Sequence, residues 1–230
     1  MSPIEYSSDV SRLVTGDQAG TSYAFPLAYS TKIEEARRGR GEDRIEAVSL
    51  PDRAVFVVAD GAGGVSGGTA AAERICKAVV ECCRQGNVAD WAEWLAHVDR
   101  EISRSRSCGL AAAVIVEVRI DGTITGASVG DCEAWLFVNG TMPKSLTAEQ
   151  IRKPLLGEGA ATPVGFEARV AGGTLIAATD GLWKYLNRTR IAEAASIRPL
   201  ETAAEALVNG VRLRSGALQD DVAVAIVGWQ

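Results

Sequence analysis

Four aspartates stand where apolar runs begin or end. Asp60 closes "RAVFVVAD" (53–60), Asp180 lies at the end of "GTLIAATDG" (173–181), and Asp220 opens "DDVAVAIVGW" (220–229). Asp131 directly follows "TITGASVG" (123–130), and Glu42 and Asp43 precede the apolar stretch "IEAVSL". If these runs are strands lying side by side, the carboxylates gather at one rim. Left uncompensated they repel each other, and they must either protonate or destabilise the fold. A hard divalent cation offsets that charge, because Mg²⁺ and Mn²⁺ favour carboxylate, carbonyl and water oxygens. A group of acids can hold two such ions about 3.5–4 Å apart, bridged by a carboxylate and a water. Water bound in this way gives up a proton more easily and becomes a nucleophile. Taken alone, an Asp-Gly after a strand is an ordinary turn. Here the pattern occurs at Asp60-Gly61 and again at Asp180-Gly181, with Asp220-Asp221 opening a further element.

The elements that must position these acids are readable. The run 53–60 is short, β-branched and apolar throughout, which predicts a fully buried strand. Ala, Ile75, Val79 and Cys82 or Cys83 recur at helical spacing over 67–86, with Gly86 as a stop. A second amphipathic helix is expected over 90–102, capped by Asp90. Trp91, Trp94, Leu95, Val98 and Ile102 form its apolar stripe, and His97 is read as a packing residue on that side. Strands 110–120 and 123–130 meet at Asp121-Gly122, a two-residue hairpin signal, and "CEAWLFVNG" (132–140) closes on another at Asn139-Gly140. Residues 141–170 read as a mostly irregular insertion, 200–216 as a helix and 220–229 as a last strand. Meandering strands rather than strict alternation with helices indicate an α+β fold with antiparallel sheets and helices packed outside.

Composition narrows the classes. With 230 residues and 47% hydrophobic residues the chain can build a sizeable core. A net charge of −5 argues against nucleic acid as the main partner. The five cysteines, Cys76, Cys82, Cys83, Cys108 and Cys132, form no CxxC pair, which argues against a zinc knuckle and suits reduced thiols. No basic-then-apolar leader and no apolar run of about 18 residues is present, so a cytoplasmic protein without a membrane span is expected.

The ordered segments "RRGRGED", "VVADGAGG", "ASVGDCEAWL", "GGTLIAATDGLW" and "LQDDVAVAIV" resemble the metal-dependent protein phosphatases of type 2C, the PPM family. The resemblance runs from about residue 20 to 228, one catalytic domain within 1–230. It implies a sandwich of two antiparallel β-sheets flanked by α-helices on both sides, with a two-metal site at one end. It implies hydrolysis of phosphoserine and phosphothreonine esters by a water bridging two Mn²⁺ or Mg²⁺ ions. By position, Asp60 would bridge both metals and the Gly61 carbonyl would bind one of them. Asp180 and Asp220 would complete the other, and Glu42 would serve the Gly61 side with Asp43 beside it. Arg38 matches the arginine that clamps phosphate, with Arg40 as the fallback; a guanidinium fork suits phosphate oxygens. Asp131 matches a "GD" position read as structural, or as supporting the ligands, in preference to binding a metal directly. The expected partner is a phosphorylated protein, with the phosphatase acting as a monomer in signalling opposite a Ser/Thr kinase.

The chain departs from the family at the periphery. Ala62 stands where many members have a histidine that protonates the leaving group. "SRSRSCG" (103–109) lacks the acid that supplies a third metal site, so two metals are expected. Lys184 replaces a frequent acid. These losses leave open a non-catalytic phosphoprotein-binding pseudophosphatase on the same fold. A dinucleotide-binding reading of "GAGGVSG" (61–67) fits poorly, because Asp60 would sit beside the pyrophosphate with no cation. "SRSRS" (103–107) reads as a solvated loop; the alternative reading has its arginines recruit acidic substrates.

Overall fold

The computed structural model describes residues 27–37, 39–62, 67–86, 88–105, 108–138 and 140–229. Within them the apolar runs become strands buried on both faces. In β3 (Arg53–Gly61), Ala54, Phe56 and Val58 point one way while Val55, Val57 and Ala59 point the other, and all six are buried. β4 (Ala111–Arg119) and β10 (Val222–Trp229) alternate in the same way. One side chain set meets the facing sheet and the other meets helices, so these strands carry no polar face.

Two five-stranded antiparallel sheets result. One has the order β1 (Leu27–Glu34), β10, β9 (Gly173–Ala178), β6 (Glu133–Phe137) and β7 (Lys144–Ser145). The other has the order β2 (Asp43–Ser49), β3, β4, β5 (Thr123–Val129) and β8 (Val164–Arg169). Their inner faces enclose a core of Tyr29, Phe56, Val114, Leu136, Leu175 and Val227, among others. Helices α1 (Gly68–Gln85) and α2 (Trp91–Ser103) cover the β2–β8 sheet. Helices α3 (Asp180–Trp183), α4 (Arg188–Ala195) and α5 (Leu200–Gly210) cover the other. This is the α+β sandwich with helices on both sides that the motifs implied.

Local chemistry accounts for the boundaries. The Asp90 carboxylate caps α2 by accepting from Ala92 N at 2.7 Å and Glu93 N at 3.1 Å. Gly122 takes φ +82° at the β4–β5 hairpin, as the turn requires. Two expectations need correction. The 141–170 segment is not mainly irregular, since β8 pairs with β5 over six residues from Val164 to Arg169. The last predicted helix ends at Gly210 rather than near Gly216.

One buried acid organises the loop after β7. Asp99 on α2 is 1% exposed and accepts from Gly157 N, Gly159 N and Ala161 N at 2.7, 3.0 and 2.9 Å. The strap from 150 to 161 is held at its other end by Gly130 N donating to Ile151 O and by paired Ala111 and Leu156. Among the described residues no helix is long and apolar enough to cross a membrane.

Candidate metal centre

Three of the sequence-distant aspartates converge at the seam between the sheets. Asp60 comes from the end of β3, and Asp180 opens α3 directly after β9. Asp131 lies in the turn where the chain crosses from β5 to β6. One carboxylate oxygen from each lies within 4.8 Å of the others. Asp180 is 7% exposed. Asp43, 3% exposed, sits opposite Asp60 in the β2–β3 register.

Packing sets this geometry. A Cβ on Gly61 would lie 2.4 Å from the Gly68 carbonyl carbon, so only glycine lets α1 begin against the end of β3. A Cβ on Gly181 would lie 1.9 Å from the Asp221 carbonyl oxygen, so Asp180 is set beside the start of β10 by backbone contact. The Thr179 hydroxyl donates to Asp43 Oδ2 at 2.7 Å and accepts from Ala223 N at 3.0 Å.

The electrostatics show a surplus of negative charge. Burial, then the Asp60 charge, pushes Asp43 up to about 9 despite the Thr179 hydrogen bond. Burial, followed by Asp180, Asp131 and Asp220, raises Asp60 to about 7. Asp180 is raised by burial, opposed by the Lys184 ammonium that pairs with it. Glu42 is raised by burial and by Asp221 and Asp220. Desolvated acids whose neighbours are also acids call for a cation. The donors are hard oxygens throughout, which fits Mg²⁺ or Mn²⁺ and not a softer metal.

The remaining site residues fall around this trio. Asp220 is exposed and outside the 4.8 Å group, but its charge acts on Asp60, Asp180 and Glu42. Gly61 ends β3 one residue past Asp60, and its N–H donates to the Glu42 carbonyl at 3.2 Å. Arg38 lies outside the described residues, as does residue 139 of the Asn139-Gly140 signal. Arg40 is exposed in a turn closed by its N–H to the Arg37 carbonyl at 3.0 Å.

Sequence reasoning named two further acids without giving them their place in the site. Asp131 is part of the tight carboxylate group rather than apart from it. Asp221 accepts from Ala36 N and Glu42 N, both at 2.7 Å, and so ties down both ends of the loop that carries Arg37, Arg38 and Arg40. Its adjacency to Asp220 was the only available signal. His97 is corrected: its side chain is 61% exposed and pairs with Glu101 at 3.3 Å, on the solvent side of α2. Cys76 and Cys83 are buried, with their thiols raised to about 12 and about 11 mainly by desolvation, which makes poor nucleophiles.

Comparison with known proteins decides the family. The family model for SpoIIE, stage II sporulation protein E, matches residues 51–230. The chain belongs to the SpoIIE family. No curated protein matches it. Among solved structures, a serine/threonine phosphatase of S. agalactiae is 19% identical, with a TM-score of 0.75 over 89% of this chain and 100% of that one. RsbX in complex with magnesium is 18% identical, with a TM-score of 0.69 over 93% of this chain and 99% of that one. The catalytic domain of the serine/threonine phosphatase PstP, in complex with two manganese ions, is 17% identical, with a TM-score of 0.68 over 88% and 97%. This SpoIIE-family chain therefore has the fold of the bacterial type 2C phosphatases, the hydrolase class that its motifs indicated.

Proposed function

We propose that the protein hydrolyses phosphoserine and phosphothreonine esters of a phosphoprotein, using two divalent cations. The observation that carries this reading is the convergence of Asp60, Asp131 and Asp180 within 4.8 Å in a partly desolvated, acid-rich seam. Structures of the same fold with magnesium or manganese support it. Asp60 would serve both cations, Asp180 and Asp220 would help hold one of them, and Glu42 and the Gly61 carbonyl would help hold the other. Asp43 backs Asp60 from the neighbouring strand. When bound, the cations supply a water of lowered pKa and offset the charge that develops on the phosphoryl group. Arg38 would bind the phosphoryl oxygens, and Asp221 ties down residues 36 and 42 on either side of it in the chain. His97 is the sole histidine, and it lies outside the carboxylate group, paired with Glu101 on α2.

Lys184 paired with Asp180 favours one alternative, a pseudophosphatase in which an ammonium stands where a cation would bind. Hydrolysis of p-nitrophenyl phosphate with Mn²⁺, with and without chelator, separates the two. Turnover that the chelator abolishes, and that Asp60→Asn and Asp180→Asn each remove while the fold persists, supports the phosphatase. Phosphopeptide binding by calorimetry without any turnover supports the binding protein. Near-normal rates in either mutant would overturn the ligand assignment.

A further inference from the structure

A groove of about 280 Å³ opens beside the metal centre, on the outer face of the β1–β7 sheet. Glu133 and Trp135 of β6 form its floor, Gln150 and Arg152 one wall, and Arg188 of α4 the other. It adjoins the carboxylates closely. Glu133 follows Asp131 by two residues, a span of at most about 7 Å. Trp183, three residues after Asp180, packs on Trp135 with ring centroids 6.2 Å apart.

The groove's own charges are unequally used. The Arg188 guanidinium lies 3.5 Å over the Trp135 ring and 3.7 Å from Glu133 Oε2. Trp135 Nε1 donates to that same carboxylate at 2.7 Å. Glu133 is thus neutralised from within, and the Arg188 guanidinium covers the Trp135 ring of the floor. Arg152 is exposed and has no acidic partner among the described residues. The Gln150 Oε1 beside it is buried and has no hydrogen-bond donor among the described residues. An unspent cation therefore stands at the edge of a groove whose other charges are paired. A lysine entering the groove would meet two guanidiniums, whereas a carboxylate would meet a free one.

We propose that this groove seats the stretch of phosphoprotein flanking the phosphorylated residue, and that Arg152 selects an acidic side chain there. The proposal rests on the phosphatase reading. An extended chain advances about 3.3–3.6 Å per residue, so the acidic side chain belongs two or three positions from the phosphorylated one.

The test uses the full chain and three phosphoserine peptides that differ only at the second and third positions on either side, carrying Glu, Ala or Lys. The wild type with Mn²⁺ should prefer Glu over Lys by about fivefold in kcat/KM. Arg152→Glu should reverse the order within the same protein preparation, which loss of structure alone would not do. Arg152→Ala should bring the three peptides together. No preference in the wild type, or a preference that survives Arg152→Glu, would overturn the proposal. Mn²⁺-dependent p-nitrophenyl phosphate turnover, measured alongside, reads the metal centre independently of any flank. If that turnover is absent the phosphatase reading fails, and fluorescence anisotropy of the same labelled peptides then tests the groove. Reversal of binding preference by Arg152→Glu supports it, and equal binding of all three peptides overturns it.

Discussion

The Thr179 hydroxyl donates to the Asp43 carboxylate at 2.7 Å while accepting the Ala223 amide at 3.0 Å. A single side chain at the end of β9 thereby reaches β10 in its own sheet and β2 in the opposite one. Asp43 in turn stands opposite Asp60 in register, so the bond fixes the backdrop of the carboxylate cluster. Thr179→Val keeps the shape but leaves the buried carboxyl and the Ala223 amide without partners. It should cost about 2–4 kcal/mol in urea unfolding, and Thr179→Ser should recover most of that. A valine variant as stable as the wild type would show that the seam is held by packing alone.

Without metal, the acids set how stability depends on pH. Asp43 is raised to about 9 and Asp60 to about 7, against an unfolded value of about 3.9. The folded chain then binds more protons than the unfolded chain between those limits, so stability falls as pH rises. In chelator the melting temperature should be lower at pH 9 than at pH 5.5, and Mn²⁺ should raise it more at pH 9. A chelated protein that melts higher at pH 9 would contradict the desolvation argument.

Asp131 should matter for metal. Asp131→Asn is expected to weaken Mn²⁺ binding by about 10- to 100-fold in calorimetry, whether its oxygen touches the ion or orients what does. Unchanged affinity would return Asp131 to a purely structural role in the β5–β6 turn.

Asp221 links the β10 end to the arginine-bearing loop. Asp221→Ala removes acceptors from Ala36 N and Glu42 N and should cost about 1–3 kcal/mol in unfolding. Because Arg38 lies between those two anchors, KM for phosphosubstrates should rise more than kcat falls. An unaltered KM would separate the loop from substrate binding.

What the sequence could reveal followed from how each element is stabilised. β3, β4 and β10 are buried on both faces, and their unbroken apolar runs say so. The Asp121-Gly122 hairpin depends on local turn chemistry and was equally plain. β8 was missed because it is an edge strand that alternates half-buried and exposed residues, with Gly165 inside it and Pro163 just before. α4, at eight residues, is too short to show a periodic stripe. His97 sits about one helical step from Val98, off the stripe of Leu95 and Ile102, so its ring faces solvent. The carboxylates at strand ends were legible as a set, but which of them meet depends on the β5-to-β6 crossover, a long-range relation. The same holds for Asp99, whose three loop amides lie about 60 residues further along the chain.

The contact of Gly181 with the Asp221 carbonyl has a consequence for divergence. It spaces Asp180 and Asp220 by main chain meeting main chain, with no intervening side chain to co-vary. Drift in the surrounding residues leaves that spacing untouched, provided position 181 stays without a Cβ. Substituting Gly181, rather than any of the bulky core residues nearby, is the mutation with no neutral neighbours.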